Sequence, residues 1–319
     1  MSAPLISIVI PAHNEQEVLE ILYKRLTTVM DSIGKTYEVI ITNDGSTDKT
    51  ASMLDEIQQR RPEIFRIIHF RGNYGQHIAI MAGFEHVRGQ YIITMDADLQ
   101  NPPEEIPKIV AEMEKGHDVV NTYRMDRQDK FWRRAVSKLH NLLRQYIITP
   151  GIKMKDEGSM LRGYHRKIVD IMASTNEAST FIPALALKYA INPCEVGIKH
   201  EERAAGTTSY NLFKLIRYNF DLVTGFSMVP LQAFTMIGLL TSSMSILFVI
   251  YLFIRRLVIG PEAQGVFTLF AIAFFLMGMI LMGLGIVGEY VGRMFQEVRK
   301  RPRFVIDRIV ETHHKETHS

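Results

Sequence analysis

The first 125 residues repeat one pattern, in which short runs of apolar, mostly β-branched residues alternate with longer stretches whose apolar positions fall three or four apart. Strand-like runs cover 5–10, 37–42, 65–70, 91–95 and 118–122, and amphipathic helical stretches cover 15–33 and 48–59. This alternation predicts an α/β domain with a mainly parallel sheet and helices on both faces. The pattern changes beyond residue 228. Residues 229–254 and 263–288 are two runs of 26 residues that contain no Asp, Glu, Lys, Arg or His. At about 1.5 Å per residue, each can cross a hydrocarbon layer of roughly 30 Å. Buried helices of a soluble core are the alternative, but such helices seldom run so far without a charge. With only residues 255–262 between them, the two runs predict a hairpin whose outer ends lie on one side of a bilayer.

Charge orients that hairpin. Arg293, Arg299, Lys300, Arg301 and Arg303 follow the second run and Lys214 and Arg217 precede the first, against Arg255 and Arg256 in the connection. Basic flanks stay on the cytoplasmic side. The expected organisation is an α/β domain over 1–200, juxtamembrane amphipathic helices over 201–228, spans over 229–254 and 263–288, and a cytoplasmic tail over 289–319. The run 5–10 is short, ends at Pro11 and lacks a basic segment before it, so it reads as a first strand and not as a signal peptide. Cys194 is the only cysteine and forms no internal disulfide. The 37 basic and 34 acidic residues give a net charge of +3, which is no footprint for nucleic acid.

Ligands of open α/β sheets bind at the carboxyl ends of the strands. The first strand runs into Pro11-Ala12-His13-Asn14-Glu15, the second into Asn43-Asp44-Gly45-Ser46, and the fourth into Asp96-Ala97-Asp98-Leu99-Gln100. Carboxylates and amides thus converge on one crevice. Asp44-Gly45-Ser46 also reads as an ordinary turn before a helix cap. Asp96 and Asp98 are two apart, so on an extended chain both point the same way and, with Gln100, offer hard oxygens to Mg2+ or Mn2+. Thirteen aspartates make about half an Asp-x-Asp pair expected by chance, so position carries more weight than the triplet.

The segments Ile10-Pro11-Ala12-His13-Asn14-Glu15, Asp44-Gly45-Ser46, Asn73-Tyr74-Gly75-Gln76-His77, Ala82-Gly83-Phe84 and Asp96 through Pro103 resemble the family 2 inverting glycosyltransferases. Within that family the resemblance is to enzymes that use a polyprenyl phosphate acceptor, and it extends over nearly the whole chain. It implies a GT-A-type, Rossmann-like catalytic domain followed by two membrane helices, a UDP-sugar donor, undecaprenyl phosphate as acceptor and a divalent metal. By matched position, Pro11, Asn14, Glu15 and Asp44 would hold the uridine, Asp96 would sit near ribose and metal, and Asp98 with Gln100 would ligate the metal. Asp156 matches the acidic residue proposed as general base, and Arg203 matches a phosphate-contacting segment near the membrane. The sugar implied is 4-deoxy-4-formamido-L-arabinose, for lipid A modification at the bacterial inner membrane. Glucose, galactosamine or another sugar is the alternative, and a processive polysaccharide synthase is the more distant one.

Three positions depart from the family pattern. Asn43 stands where an Asp is usual, Gly72 stands where an Arg usually precedes the Asn, and Thr208-Ser209-Tyr210 lacks a usual Lys. Arg124, Arg127, Arg133 and Arg134 lie within eleven residues and suit an acceptor phosphate, although a solvated basic helix reads the same way. A phosphate monoester is mostly ionised near neutrality, since its second pKa is about 6, so Asp156 has little proton to remove. It serves to orient the acceptor, or else caps the turn that follows. Residues 209–220 mix aromatics and aliphatics with Lys214 and Arg217, as an interfacial helix does, with a core helix as the alternative. Gly278, Gly283, Gly285 and Gly288 permit close helix packing, either within one chain or in a homo-oligomer.

Overall fold

The computed structural model of the protein describes residues 4–125, 159–175, 181–199, 201, 229–259, 266–298 and 302–312. The chain divides into two compact units, residues 1–210 with 301–319, and residues 211–300.

The first unit is built on an eight-stranded sheet. Its strands are β1 (Ile6–Ala12), β2 (Tyr37–Asn43), β3 (Phe65–Phe70), β4 (Tyr91–Thr94), β5 (Val119–Arg124), β6 (Arg162–His165), β7 (Pro193–Ile198) and β8 (Ile306–Val310). They lie in the order β7-β5-β6-β4-β1-β2-β3-β8. Six strands run parallel to one another, whereas β6 and β8 run against them, so the sheet is mixed. The helices are α1 (Leu19–Ile33), α2 (Thr50–Arg60), α3 (Gln76–Phe84), α4 (Ile106–Glu114), α5 (Arg166–Ser174) and α6 (Ile182–Tyr189).

Strand alternation divides the apolar residues between two cores. Ile6, Ile8 and Ile10 of β1 face a cluster that includes Leu22 and Leu26 of α1, Leu54 of α2 and Ile109 of α4. Val9, with Ile40, Ile68 and Ile92 of the neighbouring strands, faces α3, α5 and α6. Both faces are therefore covered, which is why β1 reads as a continuous apolar run. Each fully buried aliphatic side chain contributes about 1.5–3 kcal/mol relative to exposure.

The amino-terminal ends of the strands hold a buried polar network. Ser7 Oγ donates to Glu38 Oε1 (2.6 Å), the Arg88 amide donates to the same oxygen (2.6 Å), and the Gly89 amide donates to Ser7 Oγ (2.8 Å). Arg66 lies 3.8 Å from the second Glu38 oxygen and 2.7 Å from Glu311. Glu38, Arg66 and Ser7 are all buried, and this network lies at the opposite end of the sheet from the strand-end motifs.

The stretch 289–319, expected as a tail, contains the end of a long helix and then β8, which pairs antiparallel with β3 along the sheet edge. β8 alternates only weakly, and Asp307 and Arg308 keep the edge charged, a common protection against further strand pairing.

The second unit contains α7 (Val229–Ile259) and α8 (Val266–Val298). Within α8, Ile272–Gly292 is 21 residues with a mean hydropathy of 2.1, long and apolar enough to cross a membrane. Among the described residues of α7, the apolar stretch is the shorter Leu231–Thr241, so the two-span hairpin is only partly visible. Leu239, Leu247, Phe274, Phe275 and Leu281 all present more than half their surface outward, and grouped exposed apolar side chains of this kind mark a contact surface. The two helices touch where Gly283 meets Phe234. A Cβ at Gly283 would overlap the Phe234 ring, so any larger residue there would have to displace that ring, whereas Gly278, Gly285 and Gly288 face open space.

Replacing Glu38 by Ala removes the acceptor for Ser7 and the Arg88 amide and strips Arg66 of one buried partner. The expected loss is about 2–4 kcal/mol. It should appear as a lower thermal midpoint in detergent, with the far-UV circular dichroism unchanged below that temperature.

Candidate active site

β1 is flanked by β2 on one side and β4 on the other, because the chain lays down β1, β2 and β3 in one direction and then returns across β1. Such a reversal opens a crevice at the carboxyl ends of the two strands. The last β1–β4 pair is Val9 with Thr94, and the Met95 amide still reaches the Val9 carbonyl (3.1 Å). β1 continues through Ile10, Pro11 and Ala12 against β2 alone. Pro11 is buried and has no amide to donate, so it sits where the ladder to β4 has already ended.

The loops after β1 and β2 are laced together. Asn14 takes a left-handed backbone (φ 56°), which Asn tolerates better than most residues. Its amide donates to Ser46 Oγ (3.0 Å), and its side-chain oxygen accepts the Thr47 amide (2.8 Å). His13 Nδ1 donates to the Asp44 carbonyl (2.7 Å), and the Glu15 amide donates to Thr50 Oγ1 (2.8 Å). Gly45 has φ 63°, and a Cβ there would overlap the Gly72 backbone, so the loop after β3 closes directly over it.

Asp44 is 3% exposed, and its two oxygens accept the amides of Tyr74 (2.6 Å) and Gly75 (2.8 Å). Those amides immediately precede α3, where a negative charge is favoured. The carboxylate that the motif offers to a nucleotide is thus also a clasp on the Asn73-Tyr74-Gly75 loop. It holds the start of a helix some 30 residues on, not the turn that follows it.

Asp96 and Asp98 follow β4, but the chain does not stay extended. It turns at Ala97 and Asp98, and Leu99 has φ 59°, a strained value for a branched apolar residue that costs about 1–3 kcal/mol. The shared direction expected from strand alternation is therefore replaced by a turn. Asp98 Oδ1 accepts the Gln100 amide (3.1 Å), which sets these two residues side by side. Asp96 is half-buried and accepts a hydrogen bond from Gln76 Nε2 at the start of α3. Leu99 is 3% exposed, so its apolar burial holds the turn.

Behind this turn stands a polar wall that no motif announces. Thr94 Oγ1 donates to the Met160 carbonyl (2.7 Å), Thr122 Oγ1 donates to the Leu161 carbonyl (2.6 Å), and the Ser159 and Thr122 hydroxyls are 2.6 Å apart. Arg162 is fully buried and donates to the Ser159 carbonyl (2.8 Å) and to Asn121 Oδ1 (2.6 Å). Asp156 lies three residues before this anchored segment but outside the described residues, as do Arg127, Arg133, Arg134 and Arg203. Arg124 ends β5 at the same carboxyl end of the sheet as the crevice. His77, in the first turn of α3, is pushed down to about 4 by burial and by nearby Arg162, so it is neutral here.

A second clamp lies on the outer side. The Glu201 amide donates to the Gln100 carbonyl (3.0 Å), and Arg25 of α1 forks onto Glu104 (2.7 Å) and Glu201 (3.0 Å). These bonds hold Arg25 charged and push the Glu104 carboxyl below its usual range. They fix the chain two residues before Arg203. Among the described residues, one His/Cys/Asp/Glu triad has its ligand atoms within 4.8 Å, namely Glu112, His117 and Cys194. It lies at the other end of the sheet, with Lys115 on Glu112 (2.7 Å).

Comparison with known proteins accords with this arrangement. The chain is 45% identical over 307 residues to the undecaprenyl-phosphate 4-deoxy-4-formamido-L-arabinose transferase of Edwardsiella ictaluri (strain 93-146), a match that covers 96% of this chain and 94% of that protein. Among solved structures it is similar to glucosyl-3-phosphoglycerate synthase from Mycobacterium tuberculosis in complex with Mn2+, UDP and phosphoglyceric acid, at 17% identity and a TM-score of 0.48 over 70% of this chain and 77% of that one. It is also similar to S. aureus TarS in complex with UDP-GlcNAc, at 14% identity and a TM-score of 0.43 over 69% and 65% of the two chains. The model of glycosyl transferase family 2 matches residues 7–171, from the second residue of β1 into α5, and so takes in every strand-end loop of the crevice. On that match and the near full-length identity, this chain belongs to glycosyl transferase family 2.

Proposed function

We propose that this chain transfers 4-deoxy-4-formamido-L-arabinose from a UDP-linked donor to undecaprenyl phosphate, with inversion at the anomeric carbon. The observation that carries the reading is the extent of the identity. The family domain alone, 7–171, is compatible with many sugars, whereas 45% identity reaches over 96% of the chain and so includes the helices beyond it. The product fits a role in modifying lipid A.

The donor nucleotide is held by the laced loops of β1 and β2. Pro11, Asn14 and Glu15 border it directly, and Asp44 acts through the Tyr74–Gly75 amides that it fixes. Asp96, Asp98 and Gln100 present hard oxygen atoms from one turn, and that donor set suits Mg2+ or Mn2+ and not a soft metal. A metal held by these residues would supply the Lewis-acid chemistry that neutralises a leaving diphosphate. The Asp98 carboxylate is kept in place by the Gln100 amide and by the buried Leu99, so its geometry is set before ligands arrive.

The acceptor is a lipid phosphate that must approach a charged diphosphate. Arg124, with Arg127 and Arg134, is assigned to the acceptor phosphate, and Arg203 to the phosphates nearest the membrane. Asp156 orients the acceptor oxygen and takes up its remaining proton when one is present. Such a substrate cannot leave the bilayer, so the apolar helices α7 and α8 keep the enzyme where its acceptor is. The proposed topology has both flanks of the hairpin in the cytoplasm of the bacterial inner membrane, with self-association through the open glycines of α8 as an additional assembly.

The direct test is transfer by purified protein in detergent, with Mn2+ and undecaprenyl phosphate, from a panel of labelled UDP-sugars, with glycosyl lipids identified by mass spectrometry. Product is expected from the formamido-arabinose donor, and product from another sugar alone would overturn the sugar assignment. Asp98→Ala should reduce turnover by at least about 100-fold while the protein still inserts and melts normally. Full activity in EDTA would remove the metal from the reaction. Asp156→Asn should lower kcat by about 10- to 1000-fold with the donor KM nearly unchanged, and a change confined to donor KM would reassign Asp156 to the donor side.

A further inference from the structure

Asn43, His69 and Arg308 stand in one row across β2, β3 and β8, because Asn43 pairs with His69 and His69 with Arg308 in the strand registers. Asn43 and His69 are 4% and 3% exposed. Asn43 Oδ1 accepts the Ser46 amide (3.2 Å), which can only donate, so Nδ2 of the same side chain must face His69 Nδ1, 3.0 Å away. His69 Nδ1 is therefore the acceptor and Nε2 carries the proton, which it donates to Asp55 Oδ1 of α2 (2.9 Å). Arg308 bonds the other Asp55 oxygen, and its 3.4 Å approach to Nε2 is packing, since that nitrogen already bears hydrogen. One tautomer of one imidazole satisfies every group in the row.

We propose that His69 is a positioning residue for the donor loop, and that Arg308 of β8 holds it in place through Asp55. The route is continuous: His69 accepts from Asn43, Asn43 accepts from Ser46, and Ser46 Oγ accepts from the Asn14 amide. Protonating His69 would put a hydrogen on Nδ1 against Asn43 Nδ2. Asn43 would then have to turn its oxygen to the ring and release the Ser46 amide. This deepens the proposed donor site and rests on it.

The groups facing the ring are Asp55 from α2, Arg308 and Asp307 from β8, and the neutral Asn43 from β2. Burial, aided by the Arg308 charge, outweighs the two carboxylates and moves His69 below its ordinary 6.5. The unfolded chain takes up the proton first as pH falls, so the contribution of this row is complete above 6.5 and is lost as pH drops through the lower native value. An Asp in place of Asn43 would reverse this. A carboxylate there needs a donor from Nδ1, and an imidazolium between that carboxylate and Asp55 would be stabilised, not expelled.

The experiment is UDP binding with Mn2+ by calorimetry on the full chain in detergent, from about pH 5.5 to 8.5, each affinity divided by that of His69→Asn to cancel the titration of UDP itself. Asn places an acceptor where Nδ1 stood and does not titrate. His69→Leu should weaken UDP binding by about 3- to 10-fold at neutral pH, with His69→Asn restoring most of it. Wild type should lose affinity toward the acid end, and Asn43→Asp should lose it toward the alkaline end. Wild-type affinity in His69→Leu, or the same direction of pH dependence in Asn43→Asp as in wild type, would overturn the proposal. Asn14→Ala separates the two levels. If it weakens UDP binding while the His69 variants do not, the relay alone is wrong, and if it binds UDP as wild type does, the donor-loop assignment falls and the relay with it.

Discussion

β1 outlasts β4 by three residues, and most of what the first unit does depends on that difference in length. Where two parallel strands run side by side, their backbone groups satisfy one another and leave no room for a ligand. Where one stops at Thr94 and the other continues to Ala12, the loops that follow are pushed apart and their polar groups need other partners. Those partners are the side chains that the crevice presents. Pro11 removes one backbone donor at the same place, so the parting of the strands leaves one fewer unsatisfied group.

The crevice is held by contacts between segments that are far apart in sequence. Asn14 and Leu99 both have positive φ, at the ends of the two strands that part, and each strained residue is held by its surroundings, through hydrogen bonds to Ser46 and Thr47 in one case and through burial in the other. Strain of this kind persists only when the rest of the fold over-determines it. The polar groups are therefore arranged before substrate arrives, which matters where charge develops during the reaction. A second buried polar network lies at the opposite end of the strands, where Glu38 accepts from Ser7 and stands 3.8 Å from Arg66.

Much of this is legible in the sequence, and the limits have physical causes. β1 to β4 announce themselves because burial on both faces gives each of them consecutive aliphatic residues, and the rule for strand ends then puts Asn14, Asp44, Asp96 and Asp98 where the structure has them, just past β1, β2 and β4. β6 is silent because its Arg162 and Gly163 carry no strand pattern; the arginine is buried and satisfied by Asn121 and a carbonyl, which no local signal reveals. Asp44 reads as a ligand contact or a local cap, whereas its oxygens clasp amides 30 residues on. The paired carboxylates read as lying on an extended chain, and the chain in fact turns. Asn43 looks like a lost carboxylate and is instead matched to His69, a residue no motif includes.

β8 gives the catalytic unit a particular order of assembly. The strand that seals the β3 edge is made only after both apolar helices, so the unit is discontinuous along the chain even though its sheet is continuous in space. During synthesis from the amino end, β3 waits with an open edge while the rest of the sheet and both apolar helices are added. An unpaired edge is an invitation to wrong partners. A chain cut short after the second apolar helix would keep every residue of the strand-end crevice and still lack the strand that finishes its sheet, so the sheet is completed only once both apolar helices have been made.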